Sequence, residues 1–230
     1  MTNTVVQINT GLVNVFLIQG GAGCMLVDAG NPGQADLILK QLAEHDVAPD
    51  DVRLILITHG HIDHFGSAAA LREQTGAPVA IHALDAVAAR QGAHQPDSLQ
   101  PTNRWIGLAM RFPFLHLPNR APAFEPDVVI EEEWRLDEYG IAGRAVHTPG
   151  HTPGSISVLL DGGEAIVGDM VMGKLMGLIR KPGPPVVAWD LEQNQESVRQ
   201  LLALSPRVVY VGHGGPFRAE DVSAEWNTQP

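Results

Sequence analysis

The feature that most constrains this chain is the hexapeptide His59-Gly60-His61-Ile62-Asp63-His64. Chance rarely packs three histidines and an aspartate into six residues. The segment is also badly placed for a tag-like histidine tract. It follows directly on Leu54–Ile57, a short apolar run that reads as a buried strand, and it precedes the helical pattern of Ala68–Gln74. Side chains placed there project from a rigid strand end, and Gly60 gives the backbone room to turn.

Three more polar clusters obey the same rule. His147-Thr148-Pro149-Gly150-His151 follows the apolar run Ala142–Val146, Gly168-Asp169 follows Ala165–Val167, and Gly212-His213-Gly214 follows Val208–Val211. If these strand ends meet at one edge, the clusters converge. Imidazole nitrogen and carboxylate oxygen suit zinc, iron or manganese. Imidazoles and a few carboxylates leave coordination positions for water, as in catalytic rather than closed structural sites. Two metals bridged by a carboxylate would clamp an oxyanion during hydrolysis. A lone histidine after a strand is most often a surface or satisfied core residue. It is the four clusters together that point to a metal site.

The rest of the chain supplies a frame. Val5–Ile8, Val13–Ile18, Cys24–Val27, Val79–Ile81, Val128–Ile130, Trp134–Leu136 and Ser155–Leu160 are short apolar runs that read as strands. The spacing predicts helices over about Gln34–His45, Leu84–Arg90 and Asn103–Arg111. Another begins at the capping-box-like Asp190-Leu191-Glu192-Gln193. Strands and helices in this order fit two mixed sheets sandwiched between outer helices, which covers both faces of each sheet. Residues 1–230 are read as one domain carrying a Pro-rich insertion at about 92–127, expected to act as a lid. Met170–Pro185 reads as a mobile stretch.

A formal charge of -11 disfavours nucleic acid. The single cysteine, Cys24, excludes an intrachain disulfide framework and reads as a small buried hydrophobe. No apolar run approaches a membrane span, and the first ten residues do not resemble a signal peptide. The expectation is a cytoplasmic protein acting on a small molecule, with no nucleic-acid or membrane partner. A homodimer contact over exposed apolar residues of the insertion and plain packing are the other uses for that segment.

The segment Thr58-His59-Gly60-His61-Ile62-Asp63-His64 resembles the H-x-H-x-D-H signature of the metallo-β-lactamase superfamily. The remaining motifs follow in order in Val27-Asp28-Ala29-Gly30, His151, Asp169 and His213. The resemblance spans about residues 12 to 217 and implies an αβ/βα four-layer sandwich. It further implies that His59, His61 and His151 bind one metal, that Asp63, His64 and His213 bind a second, and that Asp169 bridges them. Asp28 would orient a ligand imidazole. The metals would be divalent, zinc foremost, with iron or manganese as alternatives. His147 matches no ligand position and is expected beside the ligands or at the surface.

The implied chemistry is hydrolysis by a metal-activated water, with Asp63 helping to orient or deprotonate it. Within the family, departures narrow the substrate. Zinc β-lactamases commonly place Cys at a second-site position where this chain has Asp169. Quorum-sensing lactonases carry Tyr three residues after the bridging Asp, where Met172 stands here. Glyoxalase II enzymes add a C-terminal helical domain, whereas only a short tail follows Phe217. Small stand-alone glyoxalase II-like hydrolases are the best match, acting on an ester, thioester or lactone. Trp105, Met110, Phe112, Phe114 and the segment Met172–Ile179 are candidates for an acyl or aromatic pocket, and Lys174, Arg180 and Lys181 for a substrate carboxylate. The alternatives are a mononuclear iron persulfide dioxygenase-like oxidoreductase and a β-lactam or phosphodiester hydrolase.

Overall fold

The computed structural model describes residues 3–111, 119–174, 177 and 179–226. The first half builds a six-stranded sheet from β1 (Thr4–Asn9), β2 (Asn14–Gln19), β3 (Cys24–Val27), β4 (Val52–Leu56), β5 (Val79–His82) and β7 (Val128–Ile130), in the spatial order β1-β2-β3-β4-β5-β7. β1 to β3 run antiparallel, whereas β3, β4, β5 and β7 are parallel. The parallel half needs crossovers. These are α1 (Ala35–Glu44) before β4, and α2 (Ile62–Phe65) with α3 (Ala68–Thr75) before β5. α4 (Ala86–Gln91), β6 (Gln100–Pro101) and α5 (Arg104–Ala109) lie between β5 and β7.

The second half builds the other six-stranded sheet. Its strands are β8 (Trp134–Arg135), β9 (Gly143–His147), β10 (Ile156–Leu160), β11 (Glu164–Ile166), β15 (Val208–Tyr210) and β16 (Phe217–Arg218), ordered β16-β15-β11-β10-β9-β8. Two short ribbons complete the strands: β12 (Met172–Lys174) with β13 (Ile179–Gly183), and β14 (Val187–Ala188) with β6. α6 (Leu191–Ala203) and α7 (Ala219–Trp226) close the chain.

Side-chain alternation explains the layers. In β2, Phe16 and Ile18 face the other sheet, while Val15 and Leu17 face outward with α1 residues Ile38 and Leu42. β4 repeats this, with Leu54 and Leu56 inward and Ile55 outward. From the second sheet, Ile156, Val158 and Leu160 meet them, and Leu159 turns outward beside Val198 and Leu201 of α6. A strand buried on both faces reads as an unbroken apolar run, which is why Val15–Ile18 and Leu54–Leu56 carry no polar side chain on either face. Three apolar layers between four structural layers make the αβ/βα sandwich expected from the sequence.

One expectation needs correcting, and two features were not foreseen. Within Met170–Pro185 the described residues hold an unforeseen ribbon, β12 paired antiparallel with β13. Backbone pairing there does not depend on an apolar alternation, so Gly173 and Pro182 hid it. Cys24 is half-buried at the start of β3 rather than buried. α7 was not foreseen, although Val222 and Trp226 pack four residues apart into the outer core.

Candidate metal centre

Strand direction gathers the site. β3 and β4 are parallel, so Asp28 after one and His59 after the other emerge at the same edge. β11 and β15 are parallel as well, which places Asp169 and His213 together. β9 runs antiparallel to β10 and β10 antiparallel to β11, so the loop bearing His151 opens at that edge too. Two sets of backbone hydrogen bonds hold the sheets together there: Ile156 N–H donates to Thr58 O at 2.9 Å, and Asn14 N–H to Gly212 O at 2.8 Å. Ligands of open α/β sheets collect outside carboxyl strand ends for the same reason.

All seven expected ligands come together. His59, His61 and His151 form one group, His59, His64 and Asp169 a second, and Asp63, His64 and His213 a third, with candidate ligand atoms within 4.8 Å inside each group. Every one of the seven is buried, from 0% exposure at His64 to 7% at Asp63.

The outer nitrogen of each imidazole is already committed. His59 Nδ1 lies 3.0 Å from Thr58 Oγ1, whose own proton goes to Asp28. His61 Nε2 lies 2.8 Å from Ser98 Oγ, whose proton goes to Gln95 O. His151 Nδ1–H donates to Val187 O at 2.9 Å, His213 Nδ1–H to Leu12 O at 2.7 Å, and His64 Nδ1–H to Asp28 Oδ2 at 2.8 Å. These acceptors set the tautomers and leave the inner nitrogens of the neutral rings as lone pairs. His151 Nε2 then faces His61 Nδ1 at 3.0 Å and His59 Nε2 at 3.2 Å. Lone pair against lone pair is repulsive unless a cation lies between.

Charge divides the cluster in two. Burial and the neighbouring imidazoles hold His59 and His61 well below the ordinary histidine range, and burial likewise lowers His151. At His64 burial opposes the charged form, but Asp169, Asp28 and Asp63 outweigh it and raise the group well above its usual value. Burial is similarly overcome at His213, where Asp169 and Asp63 push the ring up to about 10. Burial alone would raise both carboxyls; the His64 and His213 rings instead hold Asp63 and Asp169 below the usual carboxylate range. His213 Nε2 is 3.3 Å from both carboxylates.

The donor set fits divalent metal. His64 Nε2 and Asp169 Oδ1 are buried with no hydrogen-bond partner, a state that ordinarily costs about 1–3 kcal/mol per group. Gly212 keeps that space open: a Cβ there would run into Asp169 Oδ1 and His64 Cε1.

His147 stands apart from these groups. It is exposed, its ring stacks on His82 at 4.1 Å, and its Nε2–H donates to Pro153 O. The Pro-rich insertion enters the site through Ser98 on His61 and through β6, which pairs with β14 beside His151. Of the candidate pocket residues, Trp105 and Met110 are exposed, Met172 is buried, and Phe112 and Phe114 lie outside the described residues. Lys174 is ion-paired with Glu225 at 2.8 Å; Arg180 and Lys181 are exposed. Sequence reasoning passed over Thr58, Asp85, His94 and Ser98. His94 sits with its ring 5.4 Å from that of His61 and accepts from Ile62 N–H at 3.3 Å. Asp85 was findable, since His82-Ala83-Leu84-Asp85 is one more polar cluster at a strand end.

A four-layer sandwich with a buried His/Asp cluster at the common edge of its sheets defines a class, the metal-dependent, hydrolase-like folds. The chain belongs to the metallo-beta-lactamase superfamily, whose family profile matches residues 8–213. It is 28% identical over 233 residues to a probable metallo-hydrolase, YflN, of Bacillus subtilis (strain 168), covering 93% of this chain and 85% of that one. It is 30% identical over 170 residues to a hydroxyacylglutathione hydrolase of Anaeromyxobacter dehalogenans (strain 2CP-C), covering 74% of this chain and 50% of the relative. Among solved structures, a metallo-beta-lactamase family protein from Thermus thermophilus superposes with a TM-score of 0.69 at 25% identity, over 98% of this chain and 77% of the other. Among the described residues no helix is long and apolar enough to cross a membrane.

Proposed function

We propose that the chain is a dinuclear metal-dependent hydrolase of small-molecule esters, thioesters or lactones. One observation carries the reading. Five imidazoles have their outer nitrogens committed and their inner nitrogens turned toward one buried space shared with Asp63 and Asp169. His59, His61 and His151 would hold one metal, Asp63, His64 and His213 the other, and Asp169 both. Zinc suits this set best, with iron or manganese as alternatives. When bound, such metals lower the pKa of water to near neutrality and stabilise a developing oxyanion.

The chain's own residues supply the rest. Asp63 is held ionised beside His213 and accepts a hydrogen bond from the attacking water, orienting it and drawing off its proton. Asp28 and Thr58 fix the rings of His64 and His59, so the ligand geometry does not relax during turnover. Trp105 and Met110, exposed on and just after α5, offer an apolar wall for the acyl part of a substrate. The hydroxyacylglutathione hydrolase relative supports thioesters within the three classes. The acidic balance favours a small molecule over nucleic acid.

The test is elemental mass spectrometry on protein purified without chelators, followed by a panel of thioesters, esters and lactones. About two divalent metals per chain are expected. Asp63→Ala should then lower kcat at least ~100-fold on any active substrate. Unchanged turnover in that variant would sink the role given to Asp63. One iron per chain, no uptake of a second metal and oxygen consumption with a persulfide would replace the hydrolase by the dioxygenase reading.

A further inference from the structure

Asp85 stands at the N-terminus of α4, where an aspartate ordinarily caps its own helix. Its side chain accepts nothing from α4. It turns across the molecule instead. Oδ2 accepts from Gly60 N–H at 2.6 Å and from Thr152 Oγ1–H at 2.6 Å, and Oδ1 accepts from Gly154 N–H at 2.9 Å. The residue is wholly buried. Gly60 lies between His59 and His61, and Thr152 follows His151. One carboxylate therefore ties together the two loops that carry the three-imidazole group, one loop from each sheet.

The backbone is shaped to this contact. A Cβ on Gly154 would come within 2.7 Å of Asp85 Cγ, Oδ1 and backbone nitrogen. A Cβ on Gly60 would come within 3.3 Å of Asp85 Cβ and Cγ and 3.0 Å of Ala88 Cβ. Both glycines let the loops close onto the carboxylate; a side chain at Gly154 would open the gap, and one at Gly60 would press on its neighbours. Asp63, His64 and His213, the other group, donate no hydrogen bond to Asp85.

We propose that Asp85 is a positioning residue for the first metal alone, a clamp that sets the spacing of His59 and His61 against His151. The inference rests on the metal reading above. A fork of two acceptor oxygens is required. In Asp85→Asn the amide oxygen can still serve Gly60 and Thr152, but the amide N–H₂ then opposes Gly154 N–H, and the His151 loop is pushed away.

The experiment is zinc competition against a chromophoric chelator in two backgrounds. His213→Ala keeps the three-imidazole pocket, and His61→Ala keeps the Asp63/His64/His213 pocket. Asp85→Asn is expected to weaken zinc about 10- to 100-fold in the first background and less than about threefold in the second. Thr152→Val removes one donor and leaves Asp85 in place; it should shift affinity in the same direction by less. Should Asp85→Asn not fold, the subsite split in Thr152→Val decides. Equal weakening in both backgrounds would make Asp85 a general fold residue and overturn the proposal, as would unchanged affinity in the first. Absence of zinc binding by the unsubstituted chain would instead overturn the metal reading itself.

Discussion

Asp28 takes a left-handed backbone conformation, φ 68°, at the end of β3. Non-glycine residues seldom go there, and Asp does so more readily than most. The turn aims both carboxylate oxygens inward. Oδ1 accepts from Thr58 N–H at 2.8 Å, and Oδ2 accepts from His64 Nδ1–H at 2.8 Å. The Thr58 hydroxyl bonds to both oxygens and passes the orientation on to His59. One carboxylate thus orients a ring in each proposed subsite. Asp28→Ala should weaken metal at both by about 10- to 100-fold, read by chelator competition, in contrast to the one-sided loss expected at Asp85. The seven candidate ligands were legible because each cluster follows an apolar strand run. Their supports were not. Ser98, the Val187 carbonyl and the Leu12 carbonyl belong to residues with no metal-binding chemistry of their own, and only folding brings them to the rings.

At the scale of elements, the start of α6 shows how a local motif is diverted. Asp190-Leu191-Glu192-Gln193 reads as a capping box, and Asp190 Oδ1 does accept from Gln193 N–H at 2.9 Å. The reciprocal half is replaced, because Asp190 N–H donates to Gly150 O, next to His151. Asp190→Ala should cost about 1 kcal/mol. That corresponds to roughly 2–4 °C in Tm by differential scanning calorimetry for a chain of this size. The stacked ends of β5 and β9 carry a pH dependence. Burial, then His147, lowers His82 to about 4, so the folded state resists a proton that the unfolded chain accepts near 6.5. Between those values the unfolded state binds more protons, and stability rises with pH. Denaturant melts of metal-free protein should therefore show stability falling from about pH 6.5 toward 4, by up to about 1.4 kcal/mol per pH unit from this group. His82→Gln should remove that share of the slope; an identical slope would show that His82 is not its source. The β6–β14 pairing was illegible for a plain reason, since two-residue strands joining Gln100–Pro101 to Val187–Ala188 leave no periodic trace.

For the molecule as a whole, the two sheets share no strand. Apolar packing between them joins the halves, with hydrogen bonds at both edges: Ile156 with Thr58 and Asn14 with Gly212 beside the site, and Asn3 with Ala142 at the far edge. Most strands of the two large sheets and the layer count were readable from apolar runs; the spatial order of the strands was not. Nor was the mutual placement of the halves, because it depends on contacts such as His61 with His151, 90 residues apart. Metal seated among these residues, as proposed, would bind the folded chain far better than the unfolded one. At about a thousandfold excess over the dissociation constant that is worth about 4 kcal/mol. Stripping it with a chelator should lower Tm by roughly 10 °C; an unchanged Tm would mean the halves do not depend on it. The division of the candidate ligands between the sheets would make each proposed ion a removable cross-link. Like a disulfide, it withholds from the unfolded chain the entropy of a long closed loop. Unlike a disulfide, its strength follows the free metal concentration, so the supply of metal would govern how firmly the two halves of this protein stay joined.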